Sequence, residues 1–113
     1  FCLPGLIDMH THISEASSGD LIEFYTKTQQ EQLKVGRVNV EKTLKAGFTT
    51  VRDLGVYIAW TDKKLRDEIN ADKIPGPRMK ISGYYLSIPG GGGDVAVPDY
   101  EGKVPDQIRR GIV

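Results

Sequence analysis

The chain has only two histidines, His10 and His12, and they stand two residues apart. On a β-strand, residues i and i+2 point to the same side with Cα atoms about 7 Å apart. Both imidazoles can then converge on one cation, at about 2.0–2.1 Å per bond if it is zinc. A helix would need a spacing of four for the same convergence. The spacing alone leaves two readings open: a pair of metal ligands, or two hydrogen-bonded histidines at a strand end. Two imidazoles are also fewer than the roughly three protein ligands that a catalytic zinc uses beside its open position.

Other ionisable groups cluster near the pair. Asp8 falls on the histidine face of the same segment, and Arg52 and Asp53 lie in a later one. Asp8 is read either as a partner that orients a histidine or as half of an ion pair with Arg52 on the neighbouring strand, and the ion pair is preferred. Asp53 either orients a ligand or caps the following helix; a structural role is preferred. Gly90, Gly91, Gly92, Gly93 and Asp94 form a loop without the Lys-Ser/Thr of a phosphate-binding turn. It is read as a substrate loop or as plain flexibility. Trp60, Tyr84, Tyr85 and Tyr100 are read either as substrate contacts or as packing residues, and packing is preferred. Cys2, the single cysteine, has no partner for a disulfide and no activating neighbour in the sequence.

The elements that must position these groups follow from the patterning. Leu6 to Ile13 alternates, with Ile7, Met9, Thr11 and Ile13 on one face and Asp8, His10 and His12 on the other. Such a strand suits a barrel whose outer face packs on helices and whose inner face lines a site. After a loop from Ser14 to Lys27, a helix is expected from about Thr28 to Ala46, with Leu33, Val40 and Leu44 as its apolar stripe. Val35 and Val38 lie nearly opposite, which predicts cover on two sides. Gly47 stops the helix. Phe48 to Leu54 reads as the second strand, and Gly55 ends it. A short helix follows from about Trp60 to Ala71, capped by Thr61 or Asp62, with Leu65 and Ile69 facing inward. Ile74-Pro75-Gly76-Pro77 is a stiff turn. Arg78 to Ser87 reads as a third strand with Gly83 as a bulge, Pro89 to Tyr100 as a long loop, and Pro105 as the start of a third helix. The order βαβαβ argues for a parallel α/β architecture.

Composition excludes several classes. Fifteen basic and fifteen acidic residues in 113 cancel, which speaks against a nucleic-acid or anionic-membrane partner. No apolar run approaches the roughly 20 residues of a membrane helix.

The first block, Pro4-Gly5-Leu6-Ile7-Asp8-Met9-His10-Thr11-His12, resembles the strand-one signature of the amidohydrolase superfamily of metal-dependent hydrolases. The second, Ala46-Gly47-Phe48-Thr49-Thr50-Val51-Arg52-Asp53-Leu54-Gly55, is similar to the branch with imidazolonepropionase-like enzymes and Xaa-Pro or Xaa-Arg dipeptidases, as is Pro75-Gly76-Pro77-Arg78. The resemblance implies a TIM (β/α)₈ barrel, of which residues 1–113 would be the N-terminal part, about three βα units. Strands 4–8 and a flanking β-sandwich would be absent. It implies a divalent metal, zinc above all, as one or two ions, with His10 and His12 as two ligands and the others on later strands. In related peptidases the loop after strand three often reads Gly-Gly-His-x-Asp; here Gly92 stands where that histidine would be.

The expected function is hydrolysis of a C–N bond in an amide, a cyclic amide or a dipeptide. Two alternatives stand beside it: a non-catalytic barrel piece that needs a second chain, and phosphotriesterase or deaminase chemistry in the same superfamily. A barrel takes about 250 residues. The 113-residue chain alone is therefore expected to be inactive, with the rest of the barrel, a small-molecule or dipeptide substrate and further copies in a homo-oligomer as its partners.

Overall fold

A computed structural model of the chain describes residues 1–15, 27–58, 60–84 and 88. The elements run β1 (Leu6–Thr11), α1 (Gln29–Lys45), β2 (Phe48–Asp53), α2 (Thr61–Asn70) and β3 (Arg78–Lys80). The strands form one sheet in the order β1-β2-β3, all parallel. Two helical crossovers between adjacent parallel strands make this the βαβαβ arrangement that the sequence pattern predicts.

Helix α1 begins with a capping box. The Thr28 hydroxyl accepts from the Glu31 amide, and the Glu31 carboxylate takes the Thr28 amide at 2.7 Å. The Thr28 hydroxyl, which also donates to that carboxylate at 2.7 Å, and the Thr28 amide after it hold the Glu31 carboxyl below its usual pKa. Lys42 and Lys45 occupy the last turn, where cations suit the helix dipole. Gly47 follows with φ +95°, a conformation that favours glycine, and its amide bonds back to Leu44.

The core lies between the sheet and the two helices. Ile13, Leu33, Val40, Val51, Leu65 and Met79 are buried there, and Phe48, Ile69, Ile74 and Ile81 pack against them. In β2 the alternation is clear: Val51 and Asp53 are buried while Arg52 between them is exposed. Val51 pairs in register with Met79, so both point toward the helices. On the opposite face Thr50 pairs with Arg78 and Arg52 with Lys80. The helices meet at Gly36, where a Cβ would collide with Leu65. A bidentate bond from Arg37 to Glu68, at 2.8 and 2.6 Å, ties α1 to α2 beside that contact.

Ile7 and Met9 are 61% and 52% exposed, since among the described residues α1 lies over β2 and α2 over β3. Several expectations need correction. Val38 is likewise half in solvent, so α1 buries one side there and not two. Neither Thr61 nor Asp62 caps α2. The N-cap is Trp60 in a left-handed conformation (φ 62°) with no side-chain capping bond. Thr61 donates its hydroxyl to the Ile58 carbonyl, and Asp62 accepts from the Gly83 amide at 2.9 Å. Among the described residues the third strand covers Arg78–Lys80 of the expected Arg78–Ser87, whose last three residues lie outside them. The Gly83 amide goes to Asp62, and beyond the strand the described residues hold an isolated bridge between Val56 and Tyr84. The loop from Gly90 to Asp94, Tyr85, Tyr100 and the helix expected from Pro105 lie outside the described residues.

Candidate metal centre

The candidate site sits at the C-terminal end of β1. His10 is in the strand and His12 lies one residue past its end. Their rings approach edge to face, with centroids 5.3 Å apart at an interplanar angle of 76°. The i, i+2 spacing therefore brings the two imidazoles to one side of the chain. His12 Nδ1 stands 3.3 Å from the Gly55 carbonyl and 3.8 Å from a Glu15 carboxylate oxygen. Both are acceptors, so the proton belongs on Nδ1 and the ring lone pair on Nε2. His10 is exposed, and its amide donates to Asp8 Oδ1 at 3.0 Å.

The backbone around the pair is tied to the rest of the fold. Leu54 donates its amide to the Thr11 carbonyl at 3.0 Å. The Thr11 hydroxyl donates to the Arg52 carbonyl at 3.2 Å, and Arg52 Nε donates to the Met9 carbonyl at 2.8 Å. The expected Asp8–Arg52 ion pair does not form. Arg52 spends its Nε–H on β1 backbone, and Asp8 turns back to the amide two residues on. The turn after His12 is held by Asn39 of α1, whose Nδ2 donates to the Ile13 carbonyl at 2.8 Å and the Glu15 carbonyl at 3.1 Å.

Asp53 is fully buried at the end of β2. Its Oδ2 accepts the Ile13 amide at 2.8 Å and its Oδ1 the Gly55 amide at 3.2 Å. Burial pushes its pKa up to about 6, against the two amides, which favour the charged form. The neighbouring Asp62 charge adds to the rise and His12 opposes it. Asp53 thus joins β1 to β2 and does not cap α2.

The sequence pattern does not mark Asn39 or the Gly55 carbonyl as part of the site, and it marks Asp62 as a cap. Asn39 carries a weak signal, a polar residue one position before Val40 of the apolar stripe. A backbone carbonyl has no signature of its own. Trp60 and Tyr84 form a tilted ring pair with centroids 6.4 Å apart, and Trp60 is half exposed. Cys2 is exposed.

As a ligand set, the two imidazoles fit a divalent cation. They are neutral nitrogen donors on one side of the chain, and the tautomer of His12 is set by an acceptor, the usual arrangement for a metal-bound histidine. Among the described residues no group of three or more metal-ligating side chains forms. A catalytic zinc site built on His10 and His12 would need at least one further protein ligand.

The whole chain, residues 1–113, matches the amidohydrolase family. It is also similar to several solved structures. One is a Xaa-Pro dipeptidase with methionine bound in its active site, 34% identical over 92% of this chain and 26% of that one, with a TM-score of 0.70. Another is a prolidase complexed with N-methylphosphonate-L-proline, 32% identical over 85% of this chain and 22% of that one, at 0.71. A third is ochratoxinase from A. niger, 26% identical over 81% of this chain and 21% of that one, at 0.69. The chain spans about a quarter of the length of these structures. No curated protein matches it.

Proposed function

Because the chain belongs to the amidohydrolase family, and so carries the first βα units of a TIM-barrel hydrolase, we propose that the intact protein cleaves C–N bonds with a divalent metal, zinc above all, and that its substrates are dipeptides. The observation that carries the reading is the edge-to-face pair of His10 and His12 at the C-terminal end of β1, with His12 Nδ1 on a carbonyl. Active sites of TIM barrels lie at that end of the strands. The dipeptide class is supported by the Xaa-Pro dipeptidase and the prolidase among the similar structures.

His10 and His12 would hold the cation through their imidazole nitrogens. When bound, such a cation supplies Lewis-acid polarisation of a scissile carbonyl and lowers the pKa of a water to about 7. The chain's own residues hold the ligands in place. The Gly55 carbonyl keeps the proton on His12 Nδ1, Asp8 takes the His10 amide, and Asn39 and Asp53 hold the turn after His12. Arg52, bonded to the Met9 carbonyl, presents a cation on the face opposite the buried core. The remaining ligands and the substrate pocket come from residues beyond those described, on later strands of the same or a second chain.

The test is to assay the intact protein on Xaa-Pro dipeptides, an N-acyl amino acid, a cyclic amide and a phosphotriester, before and after chelation. The expected result is dipeptide cleavage that chelator abolishes and zinc restores. Cleavage of the phosphotriester alone, or dipeptide cleavage indifferent to chelator, would overturn the reading.

A further inference from the structure

We infer that Asp53 is a positioning residue for His12: one buried carboxylate sets both the path of the chain leaving that histidine and the carbonyl that orients its ring. The inference rests on the proposed function, since it gives His12 a metal to hold. The observation is a closed circuit of bonds. Asp53 Oδ2 takes the amide of Ile13, the residue after His12, at 2.8 Å. Asp53 Oδ1 takes the amide of Gly55 at 3.2 Å. The Gly55 carbonyl then lies 3.3 Å from His12 Nδ1. Neither oxygen touches the imidazole, so Asp53 acts on it only through backbone.

The chemistry requires a carboxylate. Both partners are N–H donors, so the side chain must offer two acceptors about one carboxylate apart. Asparagine has one acceptor and one donor. In its place, the NH₂ group would face an amide N–H and one of the two bonds would be lost. Full burial makes that loss matter, because no solvent reaches the orphaned amide. Its two bonds go to the residue that follows His12 and to the residue whose carbonyl faces the His12 ring. Asp62 supplies the contrast. It is equally buried and also accepts a distant backbone amide, that of Gly83, and no bond of its own reaches the turn that carries His12.

The experiment compares Asp53→Asn with Asp62→Asn in the intact protein. Two quantities are read: zinc affinity by competition with a chromophoric chelator, and the His12 tautomer in metal-free protein by long-range nitrogen–proton NMR. For Asp53→Asn we expect zinc to bind about 10- to 100-fold more weakly, the range found when a group orienting a metal ligand is lost. We also expect the Nδ1–H form of His12 to give way to a mixture. Asp62→Asn should change thermal stability and leave both readings within about twofold of wild type. Asp53→Asn with unchanged tautomer and unchanged zinc affinity would overturn the inference, as would equal weakening in both variants. If wild-type protein binds no zinc, the proposed function fails, and the tautomer of the metal-free protein still decides whether Asp53 positions His12. Should Asp53→Asn not fold, Gly55 replaced by its α-hydroxy acid, which removes the same amide donor and leaves the backbone free to keep its φ of +147°, is read in its place.

Discussion

Replacing Gly36 by alanine tests whether the two helices are packed as closely as the structure has them. The new Cβ would overlap Leu65 Cδ1, and would stand 3.1 Å from Cδ2 and 3.3 Å from Cγ. Leu65 cannot swing away cheaply, because it is fully buried and both of its methyls crowd the same spot. Forcing an extra methyl into a packed core costs about 1–3 kcal/mol. Against this, alanine in place of glycine inside a helix returns up to about 1 kcal/mol. The net expectation is up to about 2 kcal/mol of destabilisation, felt where α1 meets α2. Native-state hydrogen exchange of the α1 and α2 amides reads it directly, as exchange up to about 30-fold faster in the intact protein. Adding Leu65→Ala should give a double variant less damaged than the sum, since the new methyl enters the space the leucine leaves. Slower exchange in Gly36→Ala, the sign helix propensity alone would produce, would refute the close packing.

Three further outcomes follow from single side chains. Gln32 is buried, and among the described residues its Nε2 and Oε1 have no hydrogen-bond partner, so Gln32→Met, similar in length and apolar, should stabilise by about 1–2 kcal/mol; a loss on chemical denaturation would mean that the amide is satisfied. Arg37→Ala should remove about 0.5–1 kcal/mol at neutral pH, since the Arg37–Glu68 pair is partly exposed. Glu68 is held below its ordinary pKa by Arg37, so the pair's contribution is present above about pH 4.5 and fades as acid protonates Glu68; a wild-type minus Arg37→Ala difference that grows toward pH 3 would contradict the pairing. Asn39→Ala releases the Ile13 and Glu15 carbonyls and should weaken zinc binding without changing which dipeptide is preferred; zinc titration checks the first and substrate ranking the second.

What the sequence carried was whatever depends on local spacing. The i, i+2 histidines come together because a strand allows little else, and Gly47 ends α1 because its backbone is left-handed. The parallel order followed from alternating strand and helix patterns. What it did not carry depends on choices between partners far apart in the chain. Asp62 had the composition of a cap, yet its carboxylate goes to the Gly83 amide, so α2 starts on a left-handed Trp60, and among the described residues β3 covers Arg78–Lys80. Arg52 and Asp8 looked like complementary charges on neighbouring strands, but backbone groups of β1 lay nearer to both. Alternation marks Ile7 and Met9 as one face of β1 and does not say which neighbour covers it; among the described residues both are exposed.

The central claim is that His10 and His12 hold a metal ion together. Anomalous diffraction at the zinc edge from crystals of the intact protein, grown with zinc, tests it most directly. The account predicts a strong peak within bonding distance, about 2.0–2.1 Å, of a nitrogen on each ring, with His12 Nδ1 still on the Gly55 carbonyl. Zinc bound elsewhere while neither imidazole touches it, or no ordered zinc at all, would contradict the account.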